Sequence, residues 1–243
     1  MRLLVLLILT CSALHADVLA DLKTTLASLN THEPVNARVG YTFSSHNGED
    51  DKPVVEEATI TAQVADGPEG LTILWPRELI DRTAVEPRKQ NDEPNNEPAT
   101  QKAMDGVNAM LLNDYLNATT RLQRLLGESE LLSEKTEAWE GQPARCLTFK
   151  VIQKLPKYVK ELQCTVKLWL AADGIPLAAE RRLFVKGRAL LVIGFESTES
   201  EDWRFARIGQ RLVVMRHVRE SQGSGGGEKG GRKTVASLTF NDR

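Results

Sequence analysis

Residues 160–196 read KELQCTVKLWLAADGIPLAAERRLFVKGRALLVIGFE, and their pattern decides the fold class. Three extended runs are separated by two punctuations, Asp173-Gly174-Ile175-Pro176 and Lys186-Gly187. Asp-Gly supplies the positive backbone dihedrals that a tight hairpin turn needs, and Lys-Gly can supply them as well. In the first run Cys164, Val166, Leu168 and Leu170 fall on one side of an extended chain. Gln163, Thr165, Lys167 and Trp169 fall on the other. An antiparallel meander with one apolar and one wet face is the expectation.

Upstream of this meander the pattern changes twice. Leu19, Leu22, Leu26 and Leu29 recur at helical spacing within Asp17–Asn30. Strand alternation follows over Val35–Ser45, then over Val54–Ala65, and again at Leu71, Ile73 and Trp75. Arg77–Ala84 predicts one short helical turn. The polar segment Glu86–Pro98 carries Pro87, Pro94 and Pro98 and reads as a mobile surface loop. Thr100–Leu126 is helical, with a break expected near Asn113-Asp114 and Gly127 at its C-terminal cap. Strand patterns return at Leu131, turn at Trp139–Pro143 and resume over Cys146–Ile152. Downstream, a strand at Trp203–Phe205 turns at Ile208-Gly209-Gln210 into another through Leu212–Met215. Gln222–Gly231 (QGSGGGEKGG) reads as a flexible linker before a last strand, Val235–Phe240. The class is α+β.

The chain opens MRLLVLLILTCSALHADV: Arg2, an apolar run from Leu3 to Leu9, then small residues. That is the layout of a secretory signal peptide over residues 1–16, with cleavage after Ala16 and Ala20 as the alternative. The run is shorter than the ~20 apolar residues that cross a bilayer, and no later segment qualifies as transmembrane. Lipid anchoring at Cys11 is disfavoured, because Ile8-Leu9-Thr10-Cys11 has its leucine one place late and threonine where a small residue belongs. One domain, 17–243, exported to the periplasm, is the expectation. With 31 Lys and Arg against 33 Asp and Glu, the chain lacks the basic balance of a nucleic-acid binder.

Export makes Cys146 and Cys164 a candidate disulfide. Parity argues the other way. Pairing 146 with 164 across a hairpin would place Thr148 and Lys150 beside Val166 and Leu168, and send Leu147, Phe149 and Val151 to the opposite face. Either a bulge resets the alternation, or the two strands are not simple hairpin partners.

Motifs for chemistry are sparse. The glycine run lacks the Gly-Lys-Ser/Thr ending and following helix of a phosphate loop, since Lys233-Thr234 follow Arg232 and a strand comes next. His32, His46 and His217 show no metal-ligand spacing and read as surface or rim residues, so no metal or cofactor is expected. No G-x-S-x-G occurs, and the acidic runs Glu49-Asp50-Asp51 and Glu199–Asp202 read as solvated loops. The expectation is therefore not an enzyme. A buried carboxylate–histidine or serine–histidine pair in a cleft would speak for a hydrolase instead.

The order of elements, with Val166-Lys167-Leu168-Trp169-Leu170-Ala171-Ala172-Asp173-Gly174-Ile175-Pro176-Leu177 and the Trp139-Glu140-Gly141 turn, resembles the periplasmic lipoprotein-carrier superfamily (LolA and LolB proteins and their sorting-protein relatives). The resemblance implies an open, strongly curved antiparallel β-sheet, a half-barrel, with helices packed on its concave side. It also implies apolar ligand binding there. The ligand would be a lipid or the acyl chains of a lipoprotein. Its groove would be lined by Val39, Tyr41, Phe43, Ile60, Ile73, Trp75, Val166, Leu168 and Leu170, with Asp17–Asn30 and Thr100–Leu126 as the lid. The alternative is a protein-interaction module of the same fold with a filled core and an envelope protein partner. Glu86–Pro98 and the glycine run are both departures from that family.

Overall fold

Most of the chain alternates apolar and polar residues, and most of it becomes sheet. A computed structural model describes residues 18–47, 54–90, 99–189 and 193–240. The expected leader with Cys11, and 91–98 of the proline-rich segment, lie outside the described residues. A helix over 18–28, α1, precedes β1 (Val35–Asn47), β2 (Val54–Gly67) and β3 (Gly70–Leu74). Next come α2 (Arg77–Gln90), α3 (Ala99–Gly106), α4 (Ala109–Leu116) and α5 (Ala118–Gly127). The chain continues through β4 (Ser129–Trp139), β5 (Gln142–Val151), β6 (Val159–Leu170) and β7 (Pro176–Ala189). It ends with β8 (Ile193–Ile208), β9 (Arg211–Gly225) and β10 (Glu228–Phe240).

All these strands form one ten-stranded sheet in the order β3-β2-β1-β10-β9-β8-β7-β6-β5-β4. Every pairing is antiparallel, and β3 and β4 are left as edges, so the sheet is not closed into a barrel. The helical segment α2–α5 connects one edge to the other. It therefore has to traverse a face. Apolar residues of α1 (Leu22, Leu26), α4 (Leu112, Leu116) and α5 (Leu122) share one buried cluster with Val39, Val166 and Leu168 of the sheet. We call that side the inner face. Fully burying each such leucine stabilises the fold by about 1.5–3 kcal/mol.

Several sequence expectations are corrected. The Asp173-Gly174 turn forms as expected, with Gly174 at φ +81° and Asp173 Oδ1 accepting from the Ile175 N–H at 3.1 Å. Lys186-Gly187 is not a turn: β7 runs straight through it, and Gly187 pairs with Phe195 of β8. Glycine is needed there because a Cβ would stand 2.5 Å from Phe195 Cζ and against the Tyr158 carbonyl. The glycine run is not a linker either. Strands β9 and β10 extend through it to a two-residue turn, Gly226-Gly227, with φ +64° and +90°, the positive pair such a turn demands. Helix α2 reaches Gln90, well beyond the single turn expected, because most of its residues are good helix formers. The helical break falls at Asn117 and at Val107-Asn108, not at Asn113-Asp114.

The disulfide expectation also fails. Strands β5 and β6 pair in the register Leu147↔Leu168 and Phe149↔Val166, which gathers all four on the inner face. Cys146 then falls opposite Trp169 on the outer face, in a small cluster with Ala144 and Ala178. Cys164 belongs to the main inner cluster. The thiols are free and on opposite faces, out of bonding reach.

Candidate functional site

The inner face is crossed by rows of directly opposed residues on β1, β10, β9 and β8. The first row reads Tyr41–Ala236–His217–Trp203. One step toward the hairpin tips it becomes Phe43–Thr234–Arg219–Glu201, and the next row is Ser45–Arg232–Ser221–Glu199. Two-residue steps keep each row on one face, so the floor grades from aromatic to polar. The helices cover the first row and leave the outer one open. Between them is a cleft of about 1010 Å³. Lys102 and Asp105 of α3, Met110 and Leu111 of α4, and Arg121 of α5 form its other wall.

Local sequence fixes that wall. Gly106 ends α3 where a Cβ would lie 2.6 Å from the Tyr41 hydroxyl, so only glycine lets the helix end come this close. Asn108 then caps α4, its Oδ1 accepting from the Leu111 N–H at 2.9 Å. This sets Met110 at the mouth with 74% of its surface exposed.

At the inner end of the cleft lies a buried polar chain. The Tyr115 hydroxyl is 2.7 Å from His217 Nδ1, Trp203 stacks on the imidazole at 5.1 Å, and His217 Nε2 is 3.3 Å from Glu201 Oε2. That last contact is a charge-pair distance without hydrogen-bond geometry. Glu201 also accepts from Arg121 at 2.8 Å and from Arg181 at 2.5 Å. Burial alone would push its carboxyl up, but His217, Arg121 and Arg181 together outweigh that and hold it well below the usual carboxylate range. Burial, reinforced by Tyr41, pushes the Tyr115 phenol far above its normal value, so it stays protonated. Its hydroxyl is therefore available to the hydrogen bond with Nδ1.

This arrangement contains the buried carboxylate–histidine pair that would speak for a hydrolase. Its chemistry is poor for that task. The carboxylate is locked ionised by two arginines, and among the described residues the only hydroxyl hydrogen-bonded to His217 is a buried phenol. What the chain does is fasten α4 and α5 to β8 and β9. Arg121 completes the fastening by bridging Asp114 and Glu201 at 2.8 Å each while lying 5.1 Å over the Trp203 ring.

Of the residues expected to line a groove, Tyr41 and Phe43 line the cleft. Val39, Ile60, Val166, Leu168 and Leu170 are instead buried in the main core, and Ile73 and Trp75 are partly buried against it. Missed were His217, expected at the surface and found 5% exposed, and Glu201, expected in a solvated loop and found 3% exposed within β8. A signal was available: Glu199, Glu201 and Trp203 share parity, so a strand through Trp203 carries both acids onto its face. Comparison of the chain with family models, with curated proteins and with solved structures gave no match.

Proposed function

We propose that this chain is an exported, non-enzymatic binding or carrier protein of the periplasm that holds an apolar, acyl-bearing ligand in the cleft. The observation that carries the reading is the cleft itself: about 1010 Å³, with Tyr41 and Phe43 on the floor and Met110 at the mouth. That volume sits at the upper end of small-molecule sites. Each methylene moved from water into it would contribute about 0.8 kcal/mol before the cost of association. The resemblance in element order to the lipoprotein-carrier superfamily supports the same reading. In it the sheet is a half-barrel curved around its helices, and α3–α5 act as the lid.

The test is native mass spectrometry of the mature protein purified from its own cell envelope, followed by lipid extraction. A co-purifying acyl lipid, or saturable uptake of a fluorescent fatty-acid probe, is the expected result. A clean apo mass with no probe uptake overturns the reading. A second reading, a protein-interaction module, is favoured by the filled core, in which Val39, Val166 and Leu168 are at most 1% exposed. Under it the protein would copurify with an envelope protein and leave the probe unbound.

A further inference from the structure

We propose that the outer end of the cleft floor is an oxyanion site, in which Arg232 and the hydroxyls of Ser221 and Thr234 take a phosphate or carboxylate. That this oxyanion is the headgroup of an acyl ligand rests on the carrier reading above. Four cations line the cleft. Lys102 is paired with Glu56 at 2.7 Å, Arg121 with Asp114 and Glu201, and Arg219 with Glu199 at 2.5 Å. Arg232 alone has no carboxylate partner among the described residues. Its guanidinium lies over the Phe43 ring, 4.7 Å from the centroid. A guanidinium held over an aromatic ring is positioned without spending its N–H donors, which remain available to grip an oxyanion in bidentate fashion.

The surroundings suit that role. Ser221 is the direct cross-strand neighbour of Arg232, and Thr234 stands two residues along the same strand. Neither hydroxyl makes a side-chain hydrogen bond among the described residues. One step further out on the same face, Gly223 carries no side chain, and the nearest atom to a Cβ placed there is the Glu196 carbonyl oxygen at 3.6 Å, which leaves room for a headgroup. The lining carboxylate left without a cation among the described residues, Asp105, is on α3 rather than on the floor and is exposed, where water screens it.

The experiment is titration calorimetry of the full mature protein with dodecyl phosphate, dodecyl maltoside and inorganic phosphate, on wild type, Arg232→Gln and Arg232→Lys. Dodecyl phosphate should bind roughly tenfold more tightly than the maltoside. Arg232→Gln should remove most of that preference, bringing the two affinities together, while Arg232→Lys keeps part of it. Arg232 is exposed, so equal melting temperatures are expected and check the fold. If the maltoside binds and the phosphate is no tighter, or if Arg232→Gln keeps the preference, the oxyanion site falls and the carrier reading stands. If inorganic phosphate binds through Arg232 and the alkyl chain adds nothing, the site stands and the carrier reading falls. Binding of none of the three overturns both.

Discussion

Arg211 is 1% exposed, and its guanidinium donates to the Leu116 carbonyl at 2.6 Å, the Glu33 carbonyl at 2.9 Å, Asn117 Oδ1 at 2.9 Å and the Asp66 carboxylate. One side chain therefore ties the α4–α5 break, the start of β1 and the end of β2 to β9. Arg211→Met would leave Asp66 without its cation and two carbonyls without donors. It should cost about 3–5 kcal/mol in urea unfolding, and a loss below about 1 kcal/mol would show the clamp to be dispensable. Glu201 makes a pH-dependent contribution of known sign. Its folded carboxyl lies below the ordinary value of about 4.5, so its stabilisation is fully present above that pH and fades as pH falls below it. Glu201→Gln should therefore be less stable than wild type at pH 7, with the gap narrowing below pH about 4.5. A gap constant with pH would contradict the assignment. Cys146, whose thiol is pushed up to about 11 chiefly by burial, and buried Cys164 should both resist iodoacetamide at pH 8 until denaturant is added. An intact-protein mass two hydrogens short would instead restore the disulfide.

At the scale of elements, glycines separate turns from close approaches. Gly187→Ala would drive a Cβ into Phe195 and the Tyr158 carbonyl, and should destabilise by about 1–3 kcal/mol in thermal melts. At Gly223, on the same face as the cleft, the nearest atom to an added Cβ is the Glu196 carbonyl oxygen at 3.6 Å, so alanine there should cost little. The contrast explains what the sequence could and could not reveal. Alternation exposed β1, β2 and β6 because their apolar residues are spaced by two, and Asp173-Gly174 marked a turn that exists. Lys186-Gly187 carries the same local chemistry, yet its glycine answers to Phe195 on the neighbouring strand, which no local pattern displays. The glycine run looked slack for the same reason. Its strands are held by register with Asn47 and His46, whose side chains lie over Gly230 and Gly231. The cleft was half legible: Tyr41 and Phe43 announce themselves by parity, whereas Tyr115 and His217 meet across 102 positions of sequence.

The whole molecule is organised by one topological fact: β1 pairs with β10, so the first strand and the last sit mid-sheet and the helices must carry the chain from the β3 edge to the β4 edge. That crossing fills the inner face along the rows nearest Val39 and Leu238 and leaves the rows toward the hairpin tips uncovered. The same crossing that makes the core therefore makes the cleft. If the cleft is the working site, occupying it from within should abolish binding without touching stability. Gly223→Trp is suited to that purpose, because the residue lines the cleft and its backbone neighbours leave room for a Cβ. The indole would fill much of the outer floor between Ser221 and Ser197. Uptake of a fluorescent fatty-acid probe should fall at least about tenfold, the loss expected when a bulky ring excludes several methylenes at about 0.8 kcal/mol each, while the melting temperature stays within a few degrees of wild type. Unchanged uptake in a folded Gly223→Trp protein would place the ligand elsewhere and return the filled-core interaction module to first place.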